Sequence, residues 1–346
     1  MGAQQLERRL GLGTIIAISI STMLGSGIFV LPGLAFSKTG DSVFLAYLMA
    51  GIFVIPAALS KAELATAMPT SGGSYVYLER AFGPATGTIA GLGLWLSLLL
   101  KSAFALMGFG AYLNAFFSGG PLFMKVTATI LLALITFLNL VGVRKVGQAQ
   151  TFVVILSVLG LLGLMGMSFF YESPEIAQPA AFFGSGLGGF FAATGFVFVS
   201  FAGVTKIAAI AEEVKKPERN IPLGIVLSLF LVMALYGLVV YTISSIIPNS
   251  NYITLNPEYL GLGSDVSPVF TLAVVLGGKT MGYVFAGLGI LTMVSMANAG
   301  VLAASRFPFA MARDNLLPQM FRKVNDRFKT PSIAIICTTI IMAFAI

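Results

Sequence analysis

The sequence contains no histidine, one cysteine and few charged side chains. Without histidine, imidazole proton relays and histidine-based metal sites are excluded. Cys337 has no second cysteine to pair with, so the chain forms no internal disulfide. The sequence also lacks a nucleotide-binding glycine loop, a nucleophile–base constellation and a cluster of metal ligands. It therefore predicts neither an enzyme nor a firm metal site, and it requires no cofactor.

Charged residues make up 10% of the 346 residues, against about 25% in a soluble domain. Hydrophobic residues make up 57%, which predicts an integral membrane protein with several helical spans in the lipid bilayer. The net charge of +7 is spread along the chain and forms no single basic stretch. We therefore expect no nucleic-acid partner.

Apolar runs of membrane-spanning length cover most of the chain. They lie at 12–37, 43–67, 85–117, 122–142, 148–170, 187–211, 222–247 and 280–311, and a ninth begins at Pro331. We interpret residues 1–346 as one all-α, polytopic transmembrane domain. Because the ninth run is still apolar at Ile346, we expect the chain to be truncated in that span.

The basic residues predict the orientation of these spans. Fifteen of the twenty Lys and Arg residues fall in loops on the side where the chain begins. Cytoplasmic loops carry an excess of such residues, so the N-terminus is predicted to be cytoplasmic. A multi-pass protein of the cell (plasma) membrane follows from this pattern.

The first run contains Gly25-Ser26-Gly27, a poor helix-forming stretch in the middle of a span. A break at this depth frees backbone groups that protein, water or a ligand must satisfy. The N–H groups of the second half-helix suit a carboxylate, and the carbonyls from Ser21 to Leu24 suit a cation or an ammonium. The alternative is close helix packing through small residues.

The sixth run repeats this feature, with small and polar residues from Val199 to Lys206. Spans one and six are five apart, so they cross the membrane in opposite directions. Paired interruptions at corresponding positions of two inverted halves are typical of a transporter site.

Four stretches carry a family resemblance, and they occur in the order that the family has. These stretches are Gly25–Phe29, Glu63–Tyr77, Ala211–Pro222 and Ala304–Pro318. With them the chain resembles the amino acid–polyamine–organocation (APC) family of transporters over essentially its whole length. The resemblance implies a LeuT-type fold of two inverted five-helix repeats, with discontinuous helices 1 and 6. The first repeat would cover about 12–170, and the second would start at about 187 and be incomplete.

The resemblance also implies a small-molecule amino acid substrate between the two breaks. The substrate carboxylate would meet N–H groups near Ser26 and Gly27, and its ammonium would meet nearby carbonyls. Phe201 matches the aromatic residue that closes over the substrate. The implied substrate-binding residues are Met23, Gly25, Ser26, Gly27, Val199, Phe201, Ala202 and Gly203.

Two positions depart from the family pattern. Ser157 stands where some proton-coupled members carry a lysine in the fifth span, and Thr205 stands where many members carry an acidic residue. Lys206 and Lys101 lie deep in their spans, where lysine is costly and often functional. We predict that they couple transport to protons, as proton carriers or as charges that replace a cation. The alternative is a lysine whose stem snorkels or lines a wet vestibule.

A sodium-type site is the second route to coupling. Ser295, in the eighth span, could join the carbonyls of Ser21 and Leu24, because hard cations prefer oxygen ligands. A helix-packing serine bonded to its own backbone is the alternative. No ligand set is firm enough to predict a bound metal.

Two further features concern the ends of the spans. Residues 268–276 form an apolar piece too short to span, which we interpret as a lid helix over the external mouth. Charged residues at cytoplasmic helix ends are candidates for a gate that breaks ion pairs on opening, with ordinary topology charge as the alternative. These residues are Glu63, Arg80, Glu212, Glu213, Arg219 and Arg313.

We interpret the chain as a secondary active transporter of amino acids that works by alternating access, with proton-coupled import as the first choice. The alternatives within transport are a sodium-coupled carrier, an exchanger, or a carrier of another small amine. The alternative from another class is a non-transporting membrane sensor or partner subunit. The sequence names neither the amino acid nor the oligomeric state.

Overall fold

The computed structural model describes residues 8, 10–70, 73–114, 116–117, 119–141, 146–171, 183–247, 265–325, 328 and 330–346. Its regular elements are α-helices joined by short 3₁₀ segments. In chain order the helices are α1 (Leu12–Phe29), α2 (Leu31–Thr39), α3 (Val43–Ala67), α4 (Ser74–Phe82), α5 (Pro84–Leu113), α6 (Pro121–Val141), α7 (Val146–Ser168), α8 (Gly186–Phe198), α9 (Lys206–Ala209), α10 (Pro217–Ile246), α11 (Pro268–Arg313) and α12 (Ser332–Phe344). The all-α, polytopic architecture is confirmed.

Eight helical segments in the described ranges are long and apolar enough to cross a membrane. They match the eight complete runs that the sequence predicts, and α12 is the shorter ninth segment. Helices α1 and α2 together cover the first run, while α8, the 3₁₀ segment Val199–Thr205 and α9 cover the sixth. Of the basic residues that predicted the orientation, Arg9, Arg144, Lys145, Arg327 and Lys329 lie outside the described residues.

Helix α1 lies at the centre of the bundle. Every residue from Ser19 to Val30 is buried, whereas the other spans expose part of their surface. Helix α1 packs against α10, α11, α7 and the 199–205 segment. The central position explains why α1 has no polar face: it contacts other helices all round.

Helix α6 shows the opposite pattern and forms part of the outer surface. Leu122, Val126, Ile130, Leu134 and Phe137 are each at least 48% exposed and recur every three or four residues. A stripe with this spacing occupies one face of a helix. In a polytopic membrane protein such an apolar, unpartnered face contacts lipid.

Helix α11 is long and kinked. Gly277 and Gly278 have non-helical backbone angles, and Gly278 has φ = 73°, which an L side chain rarely adopts. The predicted lid, residues 268–276, is therefore a separate helical segment joined to the following span at Gly277 and Gly278, and its place over an external mouth stays a prediction. The loop residues 249–264 before it lie outside the described part of the chain.

The segment before α1 is tied to the segment after α9. The Leu10 N–H donates to the Glu213 carbonyl at 2.9 Å, and the Lys215 N–H donates to the Leu10 carbonyl at 2.8 Å. These two bonds form a short parallel bridge between Leu10 and Val214. The bridge marks one face of the bundle, which we call the N-terminal face, and there it connects the starts of α1 and α10.

Candidate functional site

The first predicted break is present in α1. Gly25 has φ = −34° and ψ = −115°, so the helix is interrupted there. On one side of Gly25 the Tyr236 hydroxyl donates to the Met23 carbonyl at 2.5 Å, and on the other side the Tyr47 hydroxyl donates to the Gly27 carbonyl at 2.8 Å. Buried carbonyls need such partners in a medium without water, so the two tyrosines stabilise the interrupted helix.

The second predicted break lies between α8 and α9. There the chain forms a 3₁₀ segment, Val199–Thr205, with poorer hydrogen-bond geometry than an α-helix. The Lys101 ammonium from α5 donates to the Val199 carbonyl at 2.8 Å and to the Ser200 carbonyl at 3.1 Å. A predicted coupling residue and a predicted ammonium-binding carbonyl are therefore in direct contact. The sequence did not predict this pairing.

The two breaks pack directly against each other. A methyl group at Gly203 would lie 2.4 Å from Thr22 Oγ1, and one at Gly27 would lie 3.2 Å from Ser200 Cβ. Only a residue without a side chain allows this approach of the two backbones. The sequence left two interpretations of Gly25-Ser26-Gly27 open: a break that frees backbone groups, and close helix packing through small residues. In the structure both occur together.

Three polar groups between the breaks are poorly satisfied. The Ser26 N–H points at the Met296 Sδ at 3.3 Å, and the Ser26 hydroxyl lies 3.7 Å from the same sulfur. A thioether sulfur is a weak acceptor. The fully buried Ser200 hydroxyl lies near the Tyr47 phenol and has no well-aligned hydrogen-bond partner among the described residues. A ligand with stronger acceptors would satisfy these groups better.

Phe201 is fully buried, with its ring edge-on to Tyr236 at a centroid distance of 5.2 Å. Phe201 and Ala202 also line a cavity of about 220 Å³ that runs beside α3 and α5. Among the described residues that line it, Lys61 carries the one charge, near the N-terminal face. The second break therefore borders this cavity on one side.

Lys101 and Lys206 are both buried, with 7% and 2% of their surface exposed. Their ammonium groups are near enough to repel each other. None of the thirteen Asp and Glu residues falls within 12–39, 84–113 or 186–209, the segments that form the breaks and carry Lys101.

The residues of the predicted sodium-type site come together in part. The Ser21 and Ser295 hydroxyls are hydrogen-bonded at 3.0 Å, and the Gln150 amide nitrogen donates to Ser21 Oγ at 3.1 Å. Leu24 is fully buried beside Gly25. A cation bound here would replace the hydrogen bonds that now join these side chains.

Ser157, where the family resemblance implies a lysine in some proton-coupled members, is hydrogen-bonded to the Thr292 hydroxyl at 2.7 Å. It therefore links the fifth span to the eighth through two neutral groups. The backbone of Thr205 belongs to the 3₁₀ segment, and its side chain lies outside the described part of the structure.

The N-terminal face carries one ion pair among the described residues. Glu213 lies 3.9 Å from Arg306, which joins the chain after α9 to α11. Burial raises the pKa of the Glu213 carboxyl, and Arg306 partly offsets this rise. Nearby, the Tyr75 hydroxyl donates to Asp314, and burial together with this bond raises the pKa of Tyr75.

Only one of the six predicted gate residues, Glu213, takes part in that ion pair. Its partner Arg306 was counted at the sequence level as a topology charge. Glu63 and Arg313 are exposed or half-buried at helix ends, so their role in a gate stays a prediction.

Sequence reasoning missed four side chains of the site: Tyr47, Tyr236, Gln150 and Met296. Each comes from a span other than the first and sixth, and each reaches the first break or its neighbours through tertiary packing. A hydroxyl or amide inside an apolar run was the available signal, because buried polar groups need partners. A polar side chain inside an apolar run does not by itself show which group it contacts in the folded protein.

Comparison with known proteins agrees with this arrangement. The family model described as amino acid permease matches residues 10–346. The branched-chain amino acid permease BcaP of Bacillus subtilis is 28% identical, over 96% of this chain and 73% of the relative. The vacuolar cationic amino acid transporter 2 of Arabidopsis thaliana is 30% identical, over 96% of this chain and 54% of the relative. The methylthioribose transporter of Bacillus subtilis is 28% identical, over 95% of this chain and 72% of the relative.

The chain therefore spans about half the length of the plant relative and about three-quarters of the bacterial ones. The family match covers almost every residue, including both breaks. On this evidence the chain is a multi-pass membrane protein that belongs to the amino acid permease family, within the amino acid–polyamine–organocation group.

Proposed function

We propose that this protein is a secondary active transporter that carries amino acids across the plasma membrane by alternating access, with its N-terminus in the cytoplasm. The observation that carries the proposal is the pair of donors on Ser26, which face only the weak acceptor of Met296 at the first break. A carboxylate is a far stronger acceptor than a thioether, and an N–H at the start of a half-helix favours an anion.

The substrate ammonium is placed on the carbonyl side of the breaks. The Met23 carbonyl accepts a hydrogen bond from Tyr236. A carbonyl oxygen has two lone pairs, so the Met23 carbonyl can accept a second bond from the substrate. The Val199 carbonyl is less suited, because it belongs to the 3₁₀ segment and already accepts a bond from the Lys101 ammonium. The cavity beside Phe201 and Ala202 supplies a route between this site and the N-terminal face.

Protons are the proposed coupling ion, with Lys206 as their carrier. Lys206 is buried next to the second break, whereas the Lys101 ammonium is held by two carbonyls. An intramembrane amine in this setting is suited to proton exchange. The hydroxyls of Ser21 and Ser295 support sodium coupling as the second candidate.

The test is uptake of radiolabelled amino acids by the purified full chain in proteoliposomes. We expect uptake driven by an imposed proton gradient, and the same uptake to be absent from empty liposomes. Uptake that responds only to a sodium gradient would indicate sodium coupling, with Ser21 and Ser295 as the candidate site. Exchange without any ion gradient would indicate an exchanger.

The same assay tests the alternative from another class. Amino acid binding, measured as a rise in melting temperature, without flux under any gradient would indicate a sensor or a partner subunit. The relatives are named for branched-chain amino acids, cationic amino acids and methylthioribose. Because these names differ, similarity does not select the substrate, and the binding screen has to cover all twenty amino acids.

A further inference from the structure

We propose that Lys101 determines substrate specificity: its ammonium, fixed on the second break, makes the site select amino acids with neutral or acidic side chains and reject cationic ones. This proposal rests on the transport function proposed above, and it narrows the substrate class.

The geometry fixes a positive charge at the site. Lys101 reaches from α5 to the Val199 and Ser200 carbonyls, directly before Phe201 and Ala202. Two carbonyl acceptors hold the ammonium in place, and with 7% of its surface exposed the side chain has little water to screen its charge.

The surroundings add positive charge and no compensating carboxylate. Lys206, at the other end of the 3₁₀ segment, is near enough to interact with Lys101, and Lys61 lines the adjoining cavity. No acidic residue occurs in 84–113 or 186–209, so neither α5 nor the segment from α8 to α9 supplies a counter-charge. The nearest acidic residues along the chain are Glu79, before α5, and Glu212 and Glu213, beyond α9.

This charge pattern discriminates between side chains. A zwitterionic amino acid with a neutral side chain brings its own carboxylate with its ammonium, so it adds no net charge. A lysine or arginine substrate adds one net positive charge beside the Lys101 ammonium in a medium of low dielectric. A binding site can select one ligand by repelling another. Here the positive charge of Lys101 would repel substrates with cationic side chains.

Matched substrate pairs test the proposal on the unmodified protein. Competition for uptake of a transported neutral amino acid is measured with lysine and norleucine, which differ by the side-chain amine. Diaminopropionate and 2-aminobutyrate serve as a shorter pair, and glutamate and glutamine as the acidic pair. We expect the cationic member to compete at least tenfold less well than its neutral partner, and glutamate to compete no less well than glutamine. Equal competition within both cationic pairs would overturn the proposal.

Variants then assign the effect to Lys101. In Lys101→Met the discrimination against lysine should fall at least fivefold, while Lys101→Arg should retain it. Lys125→Met removes the same charge from an exposed position of α6 and should leave the ratio unchanged. Unchanged discrimination in a folded Lys101→Met protein would contradict the assignment. If that variant does not fold, Lys101→Gln takes its place: it keeps a donor for the Val199 and Ser200 carbonyls without the charge, and unchanged discrimination in it would contradict the assignment.

The outcome also separates the two proposals. Binding of no amino acid at all would overturn the transport function and this inference with it. Uptake of a neutral amino acid with equal competition by lysine and norleucine would overturn the specificity proposal alone.

Discussion

Tyr47 and Tyr236 hold the two sides of the break at Gly25. Their rings meet edge to face with centroids 5.2 Å apart, and their hydroxyls donate to the Gly27 and Met23 carbonyls respectively. One tyrosine comes from α3 and the other from α10. The interrupted helix is therefore supported from two neighbouring spans at once.

Loss of either hydroxyl should weaken the break. Tyr236→Phe keeps the ring packing and leaves the buried Met23 carbonyl without its donor, at a cost of about 1–3 kcal/mol in stability. We expect a lower melting temperature in detergent and weaker amino acid binding. Tyr241→Phe, on the exposed side of α10, is the matched control. Equal melting temperatures for the two variants would show that the hydroxyl bond does not stabilise the break.

Gly27 should tolerate no side chain. A methyl group there would lie 2.3 Å from the Tyr236 hydroxyl, so Gly27→Ala is expected to cost roughly 1–3 kcal/mol through overpacking. The larger Gly27→Leu should abolish substrate binding. Gly13→Ala lies in the same helix, where nothing is within 4 Å of the added methyl, and should behave as the unmodified protein. Normal substrate affinity in Gly27→Leu would contradict a site at this break.

Phe201 should act as a gate over the bound substrate. Phe201→Ala removes a fully buried ring that packs on Tyr236, so occlusion and affinity should weaken, with roughly 3–5 kcal/mol of stability also lost. Binding is measured by thermal shift, and uptake is measured in proteoliposomes. Phe191→Ala, in α8 with 56% exposure, serves as the control. If affinity and uptake in Phe201→Ala match those of the control, Phe201 is a packing residue.

Lys206 should couple transport to protons. Lys206→Met keeps most of the side-chain volume and removes the amine, so the variant should bind substrate and lose proton-driven uptake. Lys101→Met should have a smaller effect on the proton response, because its amine is held by carbonyls. Uptake is measured with a proton gradient as the sole driving force, and again with sodium. Equal proton-driven uptake by the unmodified protein and Lys206→Met would remove Lys206 from the mechanism.

Glu213 should make stability depend on pH. Burial raises the pKa of its carboxyl in the folded protein, so the folded state holds a proton that the unfolded state releases. The contribution of Glu213 to the free energy of unfolding is therefore most favourable below the ordinary glutamate pKa, about 4.3. This contribution decreases as the pH rises through the raised pKa that Glu213 has in the folded protein. Melting curves between roughly pH 4 and pH 8 measure this dependence.

Glu213→Gln cannot titrate, so its melting temperature should vary less with pH than that of the unmodified protein. Glu63→Gln removes an exposed carboxylate at the end of α3 and is the control. Parallel curves for the unmodified protein and Glu213→Gln would show that this carboxyl does not set the pH dependence.

The sequence by itself determined the spans, the two breaks and the family. These are local properties: apolar runs of the right length predict helices in a bilayer, and Gly25-Ser26-Gly27 is a weak helix-forming stretch whatever surrounds it. The predicted runs therefore match the observed helices closely. Residues 268–276 agree as well, because the backbone departs from helical angles at Gly277 and Gly278, directly after the predicted segment.

Tertiary structure alone decided which groups meet at the breaks. Lys101 is 98 residues from Val199, and Tyr236 is 213 residues from Met23. Freed carbonyls inside a membrane must find donors, but several spans carry hydroxyls and amines at similar depth. The rotation and neighbours of each helix select among them, and these depend on packing between spans far apart in the chain. For this reason the sequence predicted a lysine in the site, and only the fold assigned its contacts.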